Sequence, residues 1–99
     1  MKLADIAHSR TGDKGNISNV SLIAYNRKNY DLIREKVTAE RVKEWFRDKV
    51  RGKVVRYELP QLGALNFVMY DALGGGVTKT LDIDPHGKAL SQFLLMMDI

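Results

Sequence analysis

Between Ile17 and Tyr25 the side chains alternate, with Val20, Leu22 and Ala24 on one side and Ser21, Ile23 and Tyr25 on the other. A period of two predicts a strand, and the scarcity of charge on either side predicts a central place in a sheet. A second alternating run, Lys53–Leu59, sets Val55, Tyr57 and Leu59 against Val54, Arg56 and Glu58, and Pro60 ends it. Leu3–His8 reads as a first strand and Val77–Ile83 as another.

Helical spacing appears in three places. Tyr30–Lys36 carries Leu32 and Ile33 on a short helical turn after the polar turn Asn26–Asn29. A longer helix starts at Thr38, whose hydroxyl can cap the first free N–H groups, with Glu40 in the first turn and Val37 and Val42 spaced as a hydrophobic staple. Its inward stripe is Val42, Trp45, Phe46 and Val50, and Gly52 is the expected stop. At this spacing Trp45 reads as core rather than as a stacking platform. Lys88–Met97 is a final helix through Leu90, Phe93, Leu94 and Met97. Leu62–Leu73 fits both periods; the helix is preferred because Gly74-Gly75-Gly76 would then stop it.

The firmer elements run strand, strand, helix, strand, strand, helix. That order predicts an α+β fold, a two-layer sandwich of a mainly antiparallel sheet with helices on one face. A circularly permuted ferredoxin-like fold shows the same order. A length of 99 residues suits one domain spanning 1–99, and no linker or internal repeat divides it.

Composition narrows the chemistry. Cysteine is absent, which excludes disulfides and thiol catalysis and fits a cytoplasmic setting. No secretory leader is expected, and the longest apolar run, Phe93–Met97, is far too short to span a membrane. The net charge of +4 is uneven: Arg27–Arg56 holds eleven Lys and Arg against five Asp and Glu. Such a band suits an acidic partner or nucleic acid, or simply coats exposed helix faces. Without aromatic residues interleaved for stacking, nucleic acid is disfavoured.

The densest polar stretch is Ser9-Arg10-Thr11-Gly12-Asp13-Lys14-Gly15-Asn16, read as a loop between the first two strands. Glycines let backbone N–H groups converge, and Arg10 and Lys14 add charge, so the stretch is an anion-site candidate for phosphate, carboxylate or a coenzyme A phosphate. It is not a Walker A loop, and its GxxG lies between strands rather than between helices. A self-satisfied structural loop is the alternative. Asp13 and His8 are weak candidates for an acid–base group. Gly74, Gly75 and Gly76 form a second cluster, either a turn or a close approach to a ligand or another chain. Asp82, Asp84 and His86 resemble half of a calcium loop, but Phe93 stands where the closing glutamate belongs, so no metal is expected. No cofactor is expected either.

The run His8–Asn16, the segments Leu59-Pro60 and Ala64-Leu65-Asn66-Phe67-Val68, then Ala72-Leu73-Gly74-Gly75-Gly76 and Gly87-Lys88, together resemble one family. It is the small C-terminal ferredoxin-like domain of the acyclic terpene utilisation protein A (AtuA) family, which also occurs free-standing. Thr11 stands where the family more commonly has serine, which keeps the hydroxyl. The resemblance implies a ferredoxin-like fold, and a larger AtuA-like subunit or a second copy of the chain as partner. It also implies a setting in catabolism of acyclic terpenes or branched-chain acids through acyl-CoA or carboxylate metabolites. It transfers no catalytic residue. The leading expectation is therefore an accessory binding domain, with Arg10, Thr11, Gly12, Lys14, Gly15, Asn16 and Gly74–Gly76 at the ligand. A small lyase or hydrolase acting on acyl-CoA, and a nucleic-acid module using the 27–56 band, are the alternatives.

Overall fold

The computed structural model of the chain describes residues 1–14, 17–72 and 89–99. Four strands, β1 (Ala7–Lys14), β2 (Ile17–Ala24), β3 (Val54–Leu59) and β4 (Ala64–Met69), make an antiparallel sheet in the order β1-β2-β4-β3. Helices α1 (Tyr30–Lys36) and α2 (Ala39–Phe46) carry the chain from β2 to β3, and α3 (Ala89–Leu95) follows β4. Because β4 lies antiparallel between them, β2 and β3 run parallel on either side of it. This is the split β-α-β arrangement of a ferredoxin-like sandwich whose last strand has moved to the front of the chain.

The sheet has one face turned to the helices. Ser18, Val20 and Leu22 on β2 sit in register with Met69, Phe67 and Leu65 on β4, and all six are buried. Val42 and Phe46 of α2, Ile33 of α1, and Leu90 and Leu94 of α3 close over this layer. The central place expected for β2 holds. So does the start of α2: the Thr38 hydroxyl accepts the Arg41 N–H at 3.1 Å, and Val37 and Val42 on either side of it are fully buried. The two chain ends meet. Lys2 and Asp98 form an antiparallel bridge with a 3.1 Å ion pair, and N–H groups of Leu3 and Ile99 donate to the Met97 and Met1 carbonyls.

Four expectations need correction. Leu62–Leu73 is not a helix: Pro60–Leu62 is a single 3-10 turn, ended by Gly63 at φ 61°, and Ala64–Met69 is strand β4. Insertion between β2 and β3 decides this, since each neighbour supplies a full ladder of partners. Leu3–Asp5 is a 3-10 turn burying Leu3, so the first strand begins only at Ala7. It then runs through Lys14, so Ser9–Lys14 are strand residues rather than loop. Gly52 does not end α2. Arg47, at φ 46°, does, and Gly52 serves instead where the chain passes the Tyr70 backbone. Val77–Ile83 and the turn at Asp84–Gly87 lie outside the described residues.

Candidate functional site

Pleating divides β1 into two rows. Ala7, Ser9 and Thr11 face the helices, in register with Ala24, Leu22 and Val20. The Thr11 hydroxyl accepts the Ser91 N–H in the first turn of α3 at 3.1 Å, and the Ser9 hydroxyl is buried without a hydrogen-bond partner among the described residues. Thr11 thus ties the strand to α3. Thr11→Val removes that acceptor and is expected to cost about 1 kcal/mol in a urea unfolding curve.

The other row is His8, Arg10, Gly12 and Lys14, paired with Ile23, Ser21, Asn19 and Ile17. The His8 ring stacks on Tyr25 with centroids 5.2 Å apart. Arg10 is exposed, and its N–H donates to the Ser21 hydroxyl at 3.3 Å. A β-carbon on Gly12 would lie 3.2 Å from the Asn19 amide, so glycine lets that amide lie close. Four positions of strand separate Arg10 from Lys14, about 13 Å between their backbones. Positions 10 and 14 therefore lie along one strand rather than in one loop. Position 13 belongs to the other row of β1 from position 8. Gly15, Asn16, Gly74, Gly75, Gly76, Asp82, Asp84 and His86 lie outside the described residues.

Across the sheet this outer row continues into an apolar patch. Val55, Tyr57 and Leu59 of β3 pair with Val68, Asn66 and Ala64 of β4, and Ala64 in turn with Ile23 of β2. Among the described residues no helix packs on this face. The alternation of β3 is therefore turned outward: its apolar side is on the face away from the helices, with Tyr57 52% exposed, while Arg56 and Glu58 lie on the helical side.

Arg56 is kept there by hydrogen bonds. Its guanidinium donates to the Arg34 and Val37 carbonyls at 2.6 and 3.0 Å, closing the end of α1, and its side chain is only 19% exposed. Other members of the basic band do similar work. Arg27 donates to the Pro60 and Gln61 carbonyls, Arg41 to those of Lys36 and Asp98, and Lys43 to those of Val50 and Gly52. Part of the band is thus structural, its heads turned onto backbone carbonyls rather than presented as an outward field.

A groove of about 610 Å³ lies between α2 and α3. Trp45 and Phe93 form its wall with rings 5.1 Å apart, and the Trp45 indole N–H donates to the Phe93 carbonyl at 2.8 Å. Phe46 and Met97 line its floor and are buried. The Lys49 ammonium stands 4.6 Å from the centre of the Phe93 ring. The helical spacing of Trp45 places it in the core stripe, and it does pack half-buried against the core while also lining this groove. No helix among the described residues is long and apolar enough to cross a membrane.

Compared with known families, residues 1–99 match the AtuA ferredoxin-like domain. No curated protein and no solved structure matches significantly.

Proposed function

The chain belongs to the AtuA ferredoxin-like domain family, and from that premise we propose that it is an accessory binding domain acting beside a larger AtuA-like subunit in the cytoplasm. The outer sheet face docks on that subunit. Arg10 and Lys14, in the β1 row of the same face, meet the anionic group of a carboxylate or acyl-CoA metabolite held between the two. The observation that carries this reading is the outward alternation of β3, which sends Val55, Tyr57 and Leu59 away from the helices and Arg56 and Glu58 towards them. A strand that only completed its own sandwich would be patterned the other way.

The test is size-exclusion chromatography with light scattering on the chain mixed with a purified larger AtuA-like protein. A stable heterocomplex is expected, weakened at least about tenfold by Tyr57→Glu, which sets a carboxylate in the apolar row. The melting temperature of the isolated variant should stay as it was, because Tyr57 is exposed. A heterocomplex indifferent to Tyr57→Glu, or a chain that forms only a homodimer through this face, would overturn the reading.

A further inference from the structure

The geometry points to a second ligand site, independent of the partner subunit: the groove between α2 and α3 binds a small monocarboxylate with an apolar tail. Its volume of about 610 Å³ falls within the range of small-molecule pockets. Its wall and floor offer three aromatic rings, Trp45 and Phe93 on the wall and Phe46 beneath, with Met97 beside Phe46.

Charge at the rim sets the head group. Arg41, Arg47 and Lys49 face Glu40 and Glu44, an excess of one positive charge. The Arg41 guanidinium is taken by the Lys36 and Asp98 carbonyls, and Arg47 pairs with Glu44 at 3.3 Å. Among the described residues Lys49 has only the face of Phe93. One cation is therefore left for a ligand, and Glu40, the lining carboxylate outside that ion pair, stands by to repel anything of higher negative charge. That balance favours a free acid over a polyanion such as an acyl-CoA.

The backbone around Lys49 is held at some cost. Arg47 adopts φ 46° and ψ −111°, a region in which a side chain is disfavoured, and the turn it makes leads into the segment that carries Lys49 back over Phe93.

Trp45 is the only tryptophan of the chain, so its fluorescence reports on this groove directly. Titration of the intact chain with decanoate below its micellar concentration should give a saturable change. Lys49→Gln removes the charge while keeping a polar side chain one atom shorter, and should weaken decanoate about tenfold. Decanol, with the same tail and no charge, should bind the variant and the unaltered chain equally. The Arg10→Ala/Lys14→Ala pair should leave the decanoate titration unchanged, which separates this site from the proposed anion row on β1. Absence of a saturable signal, equal decanoate affinity after Lys49→Gln, or loss of the signal in the Arg10/Lys14 variant would each overturn the proposal.

Discussion

Phe67→Ala is expected to lower the stability of the fold by about 3–5 kcal/mol, seen as a fall in the urea midpoint with little change in slope. The ring is fully buried in the middle of β4, between Val20 on β2 and Arg56 on β3 in the row that faces the helices. Truncation leaves a cavity that the two flanking strands cannot close, because both are fixed by ladder hydrogen bonds on either side of the gap. It also strips apolar cover from Arg56, whose guanidinium closes α1. A domain of this size has only about 5–15 kcal/mol in hand, so the variant stands near the edge of folding. Tyr57→Ala, one residue along β3 from Arg56 and on the outer face, is the control and should move the midpoint very little.

Gly52→Ala should be nearly as damaging, about 3 kcal/mol by the same measurement. Gly52 and Lys53 together oppose Tyr70: the Gly52 N–H donates to the Tyr70 carbonyl at 2.9 Å, and the Tyr70 N–H to the Lys53 carbonyl at 3.0 Å. Two residues facing one is the pattern of a β-bulge. A β-carbon on Gly52 would lie 2.5 Å from the Tyr70 carbonyl oxygen and 2.8 Å from its carbon. These are backbone atoms and cannot swing aside. Relief requires the bulge to open, and Lys43, which donates to the Val50 and Gly52 carbonyls, would lose its anchor as well. An alanine variant with unaltered stability would mean that the chain does not pass Tyr70 this closely.

Local signals were enough where one residue decides the local geometry. Thr38 can cap a helix whatever lies around it, and the alternation of Val20, Leu22 and Ala24 survives any choice of neighbours. The failures came where a distant segment decides. Leu65, Val68, Met69 and Ala72 satisfy a helical period as well as Leu65, Phe67 and Met69 satisfy a strand, and only the ladders with β2 and β3 choose between them. Polarity in Ser9–Lys14 looked like a loop because an edge strand with one face away from the helices can carry charge freely, and charge there discourages unwanted pairing. The groove was hidden for a similar reason. Phe93 reaches Trp45 from 48 residues further along the chain, and no window of sequence contains both.

The bridge between Lys2 and Asp98 has a mechanical consequence. With Lys2 and Asp98 side by side, a load pulling them apart would peel that bridge open one bond at a time instead of shearing the four-strand ladder. The fold should yield at low force along this axis and resist far more when gripped across the sheet. Any cargo attached beside Lys2 or beside Asp98 would hang from the same corner, so exchanging one attachment point for the other would scarcely change where the cargo sits.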